Sequence, residues 1–292
     1  MIEAEGKRVS LVLGSGGARG LAHIGIINEL TKAGFQIESI SGCSIGALIG
    51  GVYAAGKLAE FEAWVREIDR TDILSLLDVA WRTDGLVKGD KLIDTLIELV
   101  GDHSIEDLPI RFTAVAADID EEREIWINSG SLFDAIRASI SLPLFFSPVE
   151  YHGAYLVDGG ILNPVPIAPT FNDKTDHTIA VNLGAPVDHN LDLFDDAQLS
   201  GKSGFKQKVH RWIGKLYRGD EEEDRSLSMY DVASQAFDSM QGSIARQKLA
   251  AYPPDHLIEI PRNTCGILEF HKAGPVIELG AQRARSFLEH NI

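Results

Sequence analysis

The sequence predicts an α/β protein: a three-layer α/β/α sandwich around a central, mainly parallel sheet. Two observations carry this. Apolar runs such as Val9 to Leu13, Phe112 to Ile119 and Thr178 to Leu183 fit strands buried on both faces. Between such runs lie segments of helical periodicity, so that strand, helix, strand and helix follow one another within the first ~55 residues, as in a wound sheet.

Val9 to Leu13 is the first strand, ending in Gly14-Ser15-Gly16-Gly17. Leu21, Ile24, Ile27 and Leu30 then recur at helical spacing, and Gly34 stops the helix. A short strand, Ile37 to Ile40, leads through Gly42-Cys43-Ser44-Ile45-Gly46 into a small-residue helix, Ala47 to Ala55. One helix is expected over Leu58 to Leu77 and an amphipathic one over Gly89 to Val100. Phe112 to Ile119 and Ile125 to Asn128 read as a hairpin turned by Glu121-Glu122-Arg123. Leu132 to Ile140 is helical until Pro143 and Pro148 break the pattern. Tyr155 to Val157 is a strand ending at Asp158-Gly159-Gly160. Thr178 to Leu183 and Leu257 to Ile260 are further strands, and Val276 to Leu288 is the last helix. No linker divides the chain, so residues 1–292 read as one domain. Its core spans about 8–184, a lid or insertion about 188–225, and a terminal strand and helix about 255–290.

The chain is 45% hydrophobic and 24% charged, as in ordinary globular proteins. A formal net charge of −16 argues against nucleic acid as a partner. Cys43 and Cys265 are the only cysteines. They make no metal spacing and point to a reducing compartment. The first residues lack a signal-peptide core, and no run of ~18 apolar residues occurs, so a cytoplasmic location is expected.

G-x-S-x-G between a strand and a helix is the pattern of a nucleophile elbow, which exposes its serine at the start of a helix. Ser44 is therefore the candidate nucleophile, although a plain strand-to-helix turn gives the same letters. The glycine loop fails as a dinucleotide or Walker A loop because Arg19 stands where each needs glycine. Gly201-Lys202-Ser203 fails as well, with Asp196 in place of the required glycine. Neither a cofactor nor a metal is expected. Consecutive glycines opening a helix can instead offer backbone N–H groups to a developing oxyanion, with Gly16 and Gly17 as donors. A tight packed turn is the alternative. No histidine after Asp158 sits where a catalytic base is needed. Asp158 ends a strand, on the sheet edge where the Ser44 turn lies, and it also fits an ordinary turn residue.

Gly14-Ser15-Gly16-Gly17-Ala18-Arg19-Gly20, Gly42 to Gly46, Ala138-Ser139 with Pro143, and Asp158-Gly159-Gly160 stand in the order found in patatin-like phospholipases. The chain resembles that family from about Leu11 to Val181. The resemblance implies a lipid acyl hydrolase with a Ser–Asp dyad and no histidine: Ser44 as nucleophile and Asp158 as general base. It also implies an oxyanion hole at Gly16, Gly17, Ala18 and Arg19. Gly14, Gly20, Gly42, Gly46, Ser139, Pro143, Gly159 and Gly160 would support the motifs. Ser15 departs from the family, which often has glycine there. The substrate would be a lipid or other ester: a phospholipid, a lysophospholipid or a carboxylic ester. An acyltransferase using the same acyl-enzyme, or a silent regulatory protein of the same fold, is the alternative.

Leu142, Leu144, Phe145 and Phe146 are expected either as core or as an apolar wall beside an acyl chain. Lys202 to Arg218 reads as a basic amphipathic helix, suited to peripheral contact with an anionic membrane face, to packing on its own domain or to a homo-oligomer contact.

Overall fold

The computed structural model describes residues 6–76, 87–143, 145–191 and 229–291. Its strands are β1 (Arg8–Leu13), β2 (Gln36–Cys43), β3 (Arg111–Asp118), β4 (Arg123–Ile127), β5 (Val149–Tyr151), β6 (Ala154–Asp158), β7 (His177–Ala185) and β8 (His256–Pro261). The helices are α1 (Ala22–Lys32), α2 (Ile45–Ala54), α3 (Leu58–Glu67), α4 (Arg70–Leu76), α5 (Asp90–Val100), α6 (Leu132–Ser139), α7 (Met229–Ala251) and α8 (Ala273–Asn291).

The strands form one mixed sheet in the order β5-β6-β3-β2-β1-β7-β8, with β4 also paired to β3. From β3 to β8 every pairing is parallel, and β4, β5 and β6 join antiparallel. Successive side chains of a strand point to opposite faces, and β1 shows both faces covered. Leu11 and Leu13 belong to a large core shared with α1, α2, α3 and α8. Val12 belongs to a second cluster with Ala180 of β7 and Ala245 of α7. The sheet is therefore the middle of three layers.

Strand β3 carries three partners, and its register explains the site. Val115 faces Cys43 of β2 on one edge and Trp126 of β4 on the other. One residue on, Ala116 faces Ile125 of β4 and Asp158 of β6. β2 and β6 thus occupy the same edge of β3 in succession. Where β2 ends at Cys43, β6 arrives from the opposite direction, and its last residue, Asp158, meets the turn that carries Ser44.

Two sequence expectations change. The helix expected over Leu58 to Leu77 is broken at Ile68, whose ψ of 126° is extended. Asp69 restarts it as α4 by accepting the N–H groups of Thr71 (2.7 Å) and Asp72 (2.9 Å), a side-chain cap that ends one helix and opens another. Helix α7 was not expected. Residues 77–86 and 192–228 lie outside the described residues, and with them Leu77, most of the expected insertion and the basic segment Lys202 to Arg218. Among the described residues no helix is long and apolar enough to cross a membrane.

Candidate active site

Ser44 joins β2 to α2 with φ 56° and ψ −125°, a backbone conformation that a side-chain-bearing residue rarely adopts and that stores about 1–3 kcal/mol of strain. The turn is tight enough to need glycine on both sides. A Cβ on Gly42 would stand 2.5 Å from the Gly46 carbonyl oxygen, and one on Gly46 would run into the Leu13 carbonyl. The Ser44 N–H donates to Ser139 Oγ (2.9 Å), and Ser139 Oγ donates to the Val115 carbonyl (2.7 Å). Ser139, at the end of α6, thereby ties the turn to β3.

Asp158 is fully buried at the end of β6. Its Oδ2 accepts from Ser44 Oγ at 2.5 Å. Oδ1 accepts from the Gly160 N–H at 2.7 Å and from Cys43 Sγ at 3.8 Å. The Asp158 N–H donates to the Ser141 carbonyl (3.0 Å), so the chain leaving α6 holds both members of the pair. Burial drives the Asp158 carboxyl up to about 6, opposed by the hydrogen bonds from Ser44, Gly160 and Cys43. Burial also holds the Cys43 thiol well above its ordinary range, with the Asp158 charge adding to it. Gly159 accepts from the N–H groups of Leu162 and Asn163, closing the turn behind the carboxylate.

The glycine loop lies across the cleft from this pair. Gly14 donates to the Val181 carbonyl (3.1 Å) and Ser15 to that of Pro164 (2.8 Å). The amides of Gly16 and Gly17 have no backbone partner among the described residues, and both residues line a cleft of about 30 Å³ together with Ser44 and Asp158. Gly20 packs against the side chain of Ile45, bringing the loop onto the start of α2. The Ala18 N–H and the Arg19 side chain are engaged within the fold. The Ala18 N–H donates to the Ile267 carbonyl at 2.8 Å. The Arg19 side chain is buried, and Arg19 lines the same cleft as Ser44. It donates to the carbonyls of Gly16 and Arg262 (3.0 Å each) and pairs with Asp238 of α7 at 2.7 Å, so it braces the loop.

Four contributors escaped the sequence reading. His23 of α1 is buried, and its Nε2 lies 2.9 Å from the Gly14 carbonyl, fixing the loop from behind. Its Nδ1 has no partner among the described residues, and burial lowers its pKa to about 4. Phe237 and Gln241 of α7 close the cleft over Ser44, and Gln241 donates to Ser15 Oγ at 3.2 Å. Lys248 anchors the far end of α7 on Glu124 at 2.5 Å. Of the expected apolar wall, Leu142 lines the cleft, beside the turn in which Pro143 follows it. Phe146 instead packs under the Arg137 guanidinium, 5.4 Å from its ring. Leu144 lies outside the described residues.

The fold and site define a wound α/β protein whose serine, at a strained strand-to-helix turn, is hydrogen-bonded to a buried strand-end aspartate. The chain belongs to the patatin-like phospholipase family, whose model matches residues 11–171, more than half of the chain. It is 38% identical to an uncharacterised NTE family protein of Mycobacterium tuberculosis, over 97% of this chain and 91% of that one. It is 32% identical to the neuropathy target esterase of Drosophila melanogaster, over 67% of this chain and 14% of that much longer protein. A lysophospholipase of Emericella nidulans is 31% identical over 71% of this chain and 14% of its own. Among solved structures, VipD of Legionella pneumophila aligns with a TM-score of 0.49 and 13% identity, over 97% of this chain and 67% of that one.

Proposed function

We propose that this protein is a serine acyl hydrolase of lipid esters, working through an acyl-enzyme on Ser44 with Asp158 as general base. The observation that carries this is the 2.5 Å contact between Ser44 Oγ and Asp158 Oδ2, made in a buried site at a strained turn. Family membership and relatives named as a lysophospholipase and an esterase support a phospholipid, lysophospholipid or carboxylic ester as substrate.

Asp158 accepts the Ser44 proton as Oγ bonds to the ester carbonyl carbon. The carbonyl π pair moves onto oxygen, and the Gly16 and Gly17 amides are the donors suited to that charge. When the tetrahedral adduct collapses, the C–O bond to the alcohol breaks and Asp158 returns its proton to the departing oxygen. Water then gives a proton to Asp158 and attacks the acyl carbon. Collapse of the second adduct frees the acid, and Oγ regains its proton. A carboxyl near 6 is charged at neutral pH and still far more basic than a solvated aspartate.

The test is a screen of phospholipids, lysophospholipids and short-chain esters, with labelling by a fluorophosphonate. Activity and labelling should both vanish in Ser44→Ala, and activity in Asp158→Asn, while each variant stays folded. Substantial turnover by either purified variant refutes the assignment. Product analysis with a lysolipid acceptor separates hydrolysis from acyl transfer.

A further inference from the structure

A small polar cavity between β7 and α7 adjoins the catalytic cleft. Its volume is about 20 Å³, and Asn182 of β7 and Gly242 of α7 contribute to its lining. Ser15, Arg19, Asp238 and Gln241 line both this cavity and the cleft that holds Ser44 and Asp158, so they stand between the two spaces. The charges of Arg19 and Asp238 satisfy each other. Ser15 and Gln241 are each more than nine-tenths buried, and both keep hydrogen-bonding capacity in reserve. Ser15 Oγ accepts from Gln241 Nε2 at 3.2 Å and retains its own proton to donate. Neither that proton nor Gln241 Oε1 has a partner among the described residues. Gly160 brings the pair close to the base. A Cβ there would collide with Gln241 Nε2 and stand 2.7 Å from Ser15 Oγ and 3.0 Å from Asp158 Oδ1. The three groups thus converge on one point beside the carboxylate, which only glycine leaves open.

We propose that Ser15 and Gln241 are positioning residues that hold the water for deacylation of Ser44, and that the cavity supplies it. This rests on the reading of Ser44 as the residue that becomes acylated. In that step the water oxygen bonds to the acyl carbon and one water proton passes to Asp158. The acyl–Oγ bond then breaks, its electron pair stays on Ser44 Oγ, and Oγ takes the proton from Asp158. The attacking water has two hydrogens and two lone pairs to place. One hydrogen goes to Asp158 and the other to Gln241 Oε1. One lone pair accepts from the Ser15 O–H, and the second is left for the acyl carbon. Size favours water over an acyl-accepting alcohol. A water needs roughly 10–15 Å³ of such volume, so the cavity takes one or two waters, and glycerol or a lysolipid headgroup needs several times as much. The pair therefore biases the acyl-enzyme toward hydrolysis. Ser15 stands where the family often has glycine, and glycine has no hydroxyl to offer.

The experiment is stopped-flow cleavage of p-nitrophenyl butyrate by the full chain as wild type, Ser15→Ala and Gln241→Met, with and without glycerol. Acylation releases p-nitrophenol in a burst, and deacylation sets the steady state that follows. Each variant should deacylate about tenfold more slowly, the worth of roughly one positioned hydrogen bond. The burst rate should change little, so kcat and KM fall together. Ser15→Ala deletes a single oxygen and guards against a folding failure in the other variant. Glycerol should capture a larger share of the butyryl groups in the variants than in the wild type, because water has lost its holder. Deacylation at the wild-type rate in either variant overturns the proposal. So does a burst slowed as much as deacylation, or an unmoved ratio of butyrate to glyceryl butyrate. Failure of the catalytic reading looks different: no burst, and no butyryl group on Ser44 by mass spectrometry in any of the three proteins.

Discussion

Asp158→Asn should inactivate the protein and, at pH 8, stabilise it. The Asp158 carboxyl titrates near 6 in the fold, against 3.8 ordinarily, because burial disfavours its charge more than its hydrogen bonds favour it. Between pH 3.8 and about 6 the native state holds a proton that the unfolded chain has released. Stability therefore falls as pH rises through that window, and the penalty persists above it. A shift of this size corresponds to on the order of 3 kcal/mol. Asparagine removes the charge and keeps an oxygen for the Gly160 N–H, while its amide group faces Ser44 Oγ and recovers less of that bond. The net gain expected at pH 8 is about 1–3 kcal/mol, shrinking toward zero by pH 4, where aspartic acid is itself neutral. Guanidinium melts of both proteins at the two pH values measure the difference directly, and the contributions of all other titrating groups cancel. A variant less stable than the wild type at pH 8, or a difference independent of pH, would refute the idea that a desolvated charge sits at this site.

Turnover should rise with pH through an apparent pKa near 6, leaving roughly a tenth of the plateau at pH 5; a profile flat between pH 5 and 7 contradicts Asp158 as the base. Phe237→Ala should admit water to the cleft and move that acid limb to lower pH, and an unmoved limb means the helix does not shield the carboxylate. Ser139→Ala leaves the Ser44 N–H and the Val115 carbonyl unpaired in a buried site, with an expected loss of about 1–3 kcal/mol in denaturant melts and a fall in kcat; neither change would show the tether to be idle. His23 stays neutral in the fold down to about pH 4, so the unfolded chain binds the extra proton as pH drops below 6.5 and stability is lost between 6.5 and 4. The wild type should decline relative to His23→Gln over that range by on the order of 3 kcal/mol, as read from melts at pH 7 and 4.5.

What the sequence made legible is what depends on short range. The strained turn at Ser44 needs its two glycines within two residues on either side, so the requirement is written locally. Gly16 and Gly17 are legible for the same reason, and Asp158 because it closes a strand just before two glycines. The antiparallel arrival of β6 on the edge that β2 vacates depends on pairings between distant segments, which periodicity does not encode. Helix α7 has its inward positions at Phe237, Gln241, Ala245 and Leu249, four residues apart. A glutamine in the middle of that row breaks the apolar stripe by which a helix is recognised. The polar residue is there because it faces Ser15 and the cleft, so function obscured the pattern. The resemblance places Arg19 in the oxyanion loop but says nothing of its side-chain partners. The Asp238 with which its guanidinium pairs lies 219 positions away, and only the fold brings the two together.

Under the proposed mechanism, a histidine-free site is chemically workable because one balance sets the strength of Asp158 as a base. A solvated aspartate near 3.8 is a weak acceptor for a serine proton. A buried one without donors would be protonated at neutral pH and useless as a base. Here Ser44, Gly160 and Cys43 pull the carboxyl down while burial pushes it up, and the outcome near 6 leaves it charged at pH 7 with roughly a hundredfold more basicity than in water. The donors belong to the motifs. Other surroundings of the carboxylate do not: Phe237 and Gln241 of α7 line the same small cleft. On the proposed mechanism, the motifs supply the base and a helix far along the chain helps to tune it. The stability given up by Asp158 at pH 8 and its competence as a base are two measures of the same desolvation, so conditions or variants that relieve the first must weaken the second.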